Sequence, residues 1–252
     1  MTLDAIAARL YAAAYDATVA GFAPYERLVD DIAELIGRGV GGTSARVLDV
    51  ACGTGSVARR LARRGPTVTG LDMVPSLVDA AKRRTPPALA GRLAFAARDV
   101  ALVGPPTVGT FDAVVAVHAL YWHPRPVQLL RACRAALRPG GHAIVVAYRR
   151  AAAVRSTVRA VRRAEGLLAA AEALRWLVPT AVFETLRRVP KTYFDEIGVR
   201  RLLTNAGFDV RESGTTFLGD VSVIAWARRS ESLDDDGAVQ APSMTLHPME
   251  IR

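Results

Sequence analysis

Cysteine is scarce in this chain: Cys52 and Cys133 are its two cysteines. They have neither metal-ligand spacing nor a disulfide framework, so both read as plain thiols and no metal site is expected. Long apolar runs are missing as well. The longest candidates, Ala113 to Val117 and Ala143 to Tyr148, are strand-sized and fall short of the roughly 18–20 residues that cross a bilayer. The opening MTLDAIAARLYAAAYDA places Asp4, Arg9 and Asp16 where a signal peptide needs an unbroken apolar core. A cytoplasmic protein with no membrane partner is expected. Lysine is nearly absent, at Lys82 and Lys191 alone, so arginine carries the formal charge of +9. Those arginines are scattered as pairs, such as Arg59 with Arg60, Arg63 with Arg64, Arg83 with Arg84 and Arg162 with Arg163, while residues 231–252 are acidic. No single basic stripe results, which argues against a specific nucleic-acid partner.

What is present suits an ordinary globular protein, with 51% hydrophobic and 23% charged residues. A length of 252 residues fits a single α/β domain with a cap. Leu3, Ile6, Leu10 and Ala14 recur at helical spacing; after a break at Gly21 and Pro24, so do Leu28, Ile32, Leu35 and Ile36. Two N-terminal helices are predicted within residues 1–40. A strand Arg46 to Val50 then leads through the glycine turn Ala51 to Gly55 into a helix from Ser56 to about Arg64. The strand Thr67 to Leu71 ends at Asp72, before a helix Pro75 to Arg84 whose proline suits a first helical turn. Leu93 to Ala97 is a third strand and Phe111 to Val117 a fourth. Val127 to Leu137 reads as a helix stopped by Pro139, Gly140 and Gly141, before a fifth strand His142 to Tyr148. Apolar strands alternating with helices indicate a parallel sheet covered on both faces.

The ending breaks that rhythm. Ala151 to about Leu177 reads as one long helical stretch and Glu196 to Asn205 as another helix. Phe208 to Glu212 and Thr216 to Ala227 are then separated by a short turn at Gly214. Strands joined so tightly must be antiparallel, because a parallel crossover needs a dozen or more residues.

The glycines at 53 and 55 let the backbone approach a ligand closely, and the helix start behind them can receive an anionic group. Asp72, at a strand end, can accept both hydroxyls of a ribose or cap the helix after it. A glycine turn alone is weak evidence. Combined with the acidic strand ends Asp72 and Asp99, Pro-Gly-Gly before the fifth strand and a terminal hairpin, Val47-Leu-Asp-Val-Ala-Cys-Gly-Thr-Gly55 resembles the cofactor loop of class I S-adenosylmethionine-dependent methyltransferases. The resemblance spans about residues 45–228.

It implies an α/β fold: a seven-stranded, mostly parallel Rossmann-like sheet with helices on both faces and a C-terminal antiparallel hairpin. One domain would occupy residues 1–230, with a helical cap insertion at 151–190 and a flexible acidic tail at 231–252. The implied cofactor is S-adenosyl-L-methionine, held by Tyr15, Asp49, Ala51, Cys52, Gly53, Gly55, Asp72, Met73, Asp99, Val100 and His118. Asp49 and the Ala51 backbone would hold the methionyl ammonium, Asp72 the ribose, and Asp99 with the Val100 amide the adenine. Ala51 departs from the glycine many relatives carry there. Tyr11 and Tyr15 either cover the cofactor or pack between helices, and Asp99 is otherwise a loop residue beside Arg98.

His118, Tyr121 and His123 follow the fourth strand, at the edge where open α/β sheets place chemistry. They are the candidate proton acceptors, although His123 before Pro124 could equally face solvent. The base-amine methyltransferase motif, Asn/Asp/Ser-Pro-Pro-aromatic, is replaced by His118-Ala-Leu-Tyr121, favouring a small-molecule acceptor methylated on oxygen, nitrogen or carbon. An RNA methyltransferase, or a cofactor-binding protein of this fold without methyl transfer, is the alternative. A nicotinamide dehydrogenase fits less well, since Ala58 stands where its third glycine would be. A homodimer is left open. Arg155, Arg159, Arg162 and Arg163 recur at helical spacing in the cap, either as a solvated face or with one reaching inward to an anionic acceptor.

Overall fold

The computed structural model describes residues 18–40, 44–105, 109–121, 123–150, 153–186 and 192–230, with backbone only for 183–186. Tyr11, Tyr15, the first N-terminal helix and the tail 231–252 fall outside these residues.

Helix α1 (Ala23–Val40) buries Tyr25, Leu28, Val29, Ile32, Leu35 and Ile36, a stripe at the helical period. Strand β1 (Arg46–Val50), α2 (Ser56–Arg63), β2 (Thr67–Asp72), α3 (Pro75–Arg83), β3 (Leu93–Ala97), the one-turn α4 (Val100–Val103) and β4 (Phe111–Val117) follow. Then come α5 (Pro126–Ala136), β5 (Leu137–Tyr148), α6 (Val154–Glu165), α7 (Leu167–Leu186), α8 (Glu196–Asn205), β6 (Phe208–Thr216) and β7 (Ser222–Arg229). The seven strands run β3-β2-β1-β4-β5-β7-β6. β1 to β5 pair in parallel, whereas β7 is antiparallel to both β5 and β6. The fold is the seven-stranded, mostly parallel Rossmann-like sheet with a terminal hairpin.

Alternate side chains of each strand serve opposite layers, as a two-residue period requires. Val47, Val68, Val115, Ile144 and Val146 pack with α1, α2 and α7 on one face. Leu48, Leu71, Val114, Val145 and Ala225 pack with α5 and α8 on the other. Chain order reverses between β1 and β4, which opens a crevice at the carboxyl ends of those strands. No helix among the described residues is long and apolar enough to cross a membrane.

Three boundaries differ from the sequence expectation. Pro139-Gly-Gly does not separate α5 from β5: Leu137 already pairs with Phe111 and His142 pairs with Ala113, so the residues between loop out as a bulge. The stretch after β5 is two helices, broken at Gly166, whose φ of 92° ends α6. Gly214 lies inside β6 opposite Ile224, and the hairpin turns instead at 217–221. There Phe217, Leu218 and Asp220 adopt positive φ, at a cost of about 1–2 kcal/mol per residue. Burial of the Phe217 and Leu218 side chains offsets that cost.

Candidate functional site

The turn after β1 is left-handed at Ala51, Gly53 and Gly55, with φ of 57°, 55° and 75°. A Cβ on Gly55 would lie 2.7 Å from the Phe95 ring, so only glycine fits. A Cβ on Gly53 would meet nothing within 4 Å; this side of the turn is open. The Cys52 amide donates to the Leu71 carbonyl (2.9 Å), fastening the turn to β2. The Cys52 side chain is buried, and burial pushes its thiol far above the ordinary range.

Asp72 closes the cradle. One carboxylate oxygen accepts the Gly53 amide at 2.9 Å and the other the Val74 amide at 2.8 Å. It therefore braces the glycine turn from the neighbouring strand end, and Val74, not Asp72, is the N-cap of α3. Each oxygen keeps a further lone pair for a hydroxyl donor. Burial raises its pKa against the pull of the two amides. Met73, next along, is exposed.

Asp49 lies beneath the same turn and is 2% exposed. It accepts the Ala58 amide in the first turn of α2, yet its Oδ2 is buried without a hydrogen-bond partner. Burial, foremost, pushes its pKa up to about 7, with Asp72 adding to the rise and the Ala58 amide opposing it. An unpartnered buried carboxylate oxygen beside an open backbone cradle suits a ligand carrying a cation.

Asp99 caps α4, its Oδ1 accepting the Ala101 and Leu102 amides at 3.0 and 3.3 Å. The Val100 side chain is buried in the core. Both residues stand at the β3 end, beside the Asp72 strand end.

The β4 end supplies His118, left-handed at φ 53°. Its amide donates to the Val146 carbonyl (2.7 Å) and its Nε2 lies 2.9 Å from Ser222 Oγ. The ring stacks on Tyr148, with centroids 3.7 Å apart and 7° between planes. Burial pushes its pKa down to about 3, so the imidazole is neutral at physiological pH. Tyr121 meets Tyr148 edge-on at 4.7 Å, Trp176 of α7 lies 5.9 Å from Tyr148, and Phe217 lies 5.0 Å from Trp176. His118 and Tyr121 thus share one aromatic group. His123 is held elsewhere, its Nδ1 accepting the Arg125 amide at 3.1 Å.

The sequence pattern missed Tyr148, Phe217 and Ser222, although the ends of β5 and β6 and the start of β7 reach this same sheet edge. It also counted Arg59 and Arg60 only as one of the scattered arginine pairs. Both are buried: Arg59 donates to the Thr54 carbonyl of the glycine turn (2.5 Å), and Arg60 to Glu26, Ser56 and the Val19 carbonyl. Among the described residues no group of three or more His, Cys, Asp or Glu is placed to hold a metal. An open recess of about 560 Å³ lined by Arg138, Arg211, Arg228, His142 and Trp226 lies at the opposite sheet edge, away from the glycine turn.

Residues 48–145 match the family described as "Methyltransferase domain". This segment is a methyltransferase domain of the class I, Rossmann-like kind that the sequence motifs resemble. The magnesium-protoporphyrin O-methyltransferase of Rhodobacter capsulatus is 44% identical over 84 residues, 33% of this chain and 36% of that protein. The ubiquinone biosynthesis O-methyltransferase of Xanthomonas campestris pv. campestris is 36% identical over 97 residues, 38% of this chain and 40% of that protein. The chain thus matches these two relatives over well under half of their length. At the level of fold, the magnesium protoporphyrin IX methyltransferase of Synechocystis PCC 6803, solved with S-adenosylhomocysteine, has a TM-score of 0.59 at 19% identity and covers 82% of this chain and 84% of that one.

Proposed function

We propose that the chain binds S-adenosyl-L-methionine in the cradle between β1 and β2 and transfers its methyl group to a small-molecule acceptor. The observation that carries this reading is the unpartnered Asp49 Oδ2, buried beneath a turn whose Gly53 side is open. Asp49 and the Ala51 backbone would take the ligand's ammonium, Asp72 its ribose hydroxyls, and Asp99 with the Val100 amide its adenine. Cys52, Gly53, Gly55 and Met73 would border it, with Tyr15 contributing from the N-terminal segment. When bound, this cofactor supplies a methyl group already activated by its sulfonium.

The chain's own task is then alignment and exclusion of water, which can contribute on the order of 7–11 kcal/mol. The aromatic group of Tyr121, Tyr148, Trp176 and Phe217 would wall the acceptor side. His118, neutral and tied to Ser222, serves better as a positioning wall than as a base, because a site of such low basicity holds a proton poorly. Of the other two candidates, Tyr121 shares the aromatic group and would stand nearest an acceptor's proton, whereas His123 has its Nδ1 taken by the Arg125 amide. Both curated relatives are named O-methyltransferases, which favours an oxygen acceptor over nitrogen or carbon.

The reading includes a single domain over residues 1–230, capped by 151–190 and trailed by 231–252, in the cytoplasm, with a homodimer as the open assembly state. Labelled methyl donor offered with phenolic, carboxylate and quinone-like acceptors tests it. Transfer to one of them, lost in Asp72→Ala, is expected. Cofactor binding without transfer to any acceptor, RNA included, would leave a binding protein of this fold instead.

A further inference from the structure

Helices α6 and α7 press one face each onto the same core, where Val161, Ala170, Ala173, Trp176 and Leu177 are buried together. Their opposite faces therefore lie side by side at the surface. On α7 that surface is apolar: Leu167, Leu174, Val178 and Val182 fall along one helical stripe and are 72%, 39%, 47% and 52% exposed, with Leu168 beside them at 89%. Exposed apolar patches of this extent mark interaction surfaces. On α6 the outer face is basic, with Arg155, Arg159, Arg162 and Arg163 all exposed.

Carboxylates do not balance this row among the described side chains of the two helices. Glu165 is engaged by Arg27 at 2.7 Å, and Glu172 accepts the Ala23 amide at 3.3 Å. The occupant must therefore be anionic and apolar at once. A second copy docked face to face would set arginine against arginine around the apolar stripe, which opposes association. A bilayer containing anionic lipid offers both partners, phosphates for the guanidinium groups and an acyl layer for the leucines.

We infer that the outer face of α6 and α7 docks the chain peripherally onto an anionic lipid bilayer. This revises the expectation of no membrane partner, which rested on the missing bilayer-crossing run and speaks only to crossing. The inference is independent of the methyltransferase reading, because docking requires no cofactor.

Flotation of the full chain with vesicles of phosphatidylcholine alone, or of phosphatidylcholine with phosphatidylglycerol, tests it. Binding to the phosphatidylglycerol vesicles is expected, falling as salt rises, with little binding to phosphatidylcholine alone. Each arginine changed to alanine at 159 and 163 should weaken it by about fivefold. Leu167→Glu with Leu168→Glu should abolish it without changing the melting temperature or circular dichroism, since both side chains are exposed. Equal binding to both vesicles, or binding to neither, overturns the inference. A dimer seen by sedimentation that the leucine variant dissolves also overturns it, assigning the face to a second copy.

Discussion

Asp49 concentrates the chemistry of the cradle in one side chain. Its folded pKa of about 7 lies above the ordinary carboxylate value, so the folded chain binds a proton that the unfolded chain has already released between about pH 4 and 7. Stability without ligand therefore falls as pH rises through that window, by on the order of 4 kcal/mol in all. A bound ammonium favours the charged carboxylate. Affinity for S-adenosylhomocysteine should consequently climb from pH 6 to 8 and then level off, and Asp49→Asn should flatten the profile. Calorimetry across that range checks both; a flat wild-type profile would remove Asp49 from the ligand's cation. Asp72 is tested through its two amide bonds. Asp72→Ala should lower stability by about 2–3 kcal/mol in denaturant titrations and weaken S-adenosylhomocysteine binding at least tenfold, while Asp72→Asn keeps part of both. Gly55→Ala must carry a left-handed φ and push a methyl against Phe95. A loss of about 2–4 kcal/mol is expected in the same titrations.

Among the elements, α7 links the core to the aromatic group through Trp176, which is buried and faces both Tyr148 and Phe217. Removing the whole ring would cost about 3–5 kcal/mol and confound any functional reading. Trp176→Phe keeps most of the packing. It should change kcat/KM for the acceptor severalfold while S-adenosylhomocysteine affinity stays within about twofold; the reverse outcome would assign α7 to the cofactor side. The strands β1 and β4 begin and end on the residues that their apolar runs mark, because burial on both faces leaves a strong local signal. Glycine misled in both directions. At Gly214 a strand tolerates it, whereas at Gly166 it ends a helix inside a continuous helical pattern. Arg60 counted only among the scattered arginines because Glu26 and the Val19 carbonyl, its distant partners, are brought close by the fold. Tyr148 and Phe217 were hidden for the same reason, since the edge they share with His118 is made by strands far apart in the chain.

For the molecule as a whole, the reversal of strand order between β1 and β4 brings the glycine turn and the His118 loop to one crevice. The net charge of +9 sits largely outside it: the arginines of α6 face outward, and Arg138, Arg211 and Arg228 line the opposite edge. RNA binding should therefore be weak, indifferent to sequence and steeply salt-dependent in filter-binding or fluorescence titrations. Tight, sequence-selective binding at physiological salt would point to an RNA acceptor. The central claim, that the cradle between β1 and β2 is an S-adenosylmethionine site, is tested most directly by calorimetric titration of the full chain at pH 8 with S-adenosylhomocysteine, and with a nicotinamide dinucleotide as control. Saturable one-to-one binding of S-adenosylhomocysteine, weakened at least tenfold by Asp72→Ala and absent for the dinucleotide, is the expected result; no binding of S-adenosylhomocysteine, or preference for the dinucleotide, would contradict it.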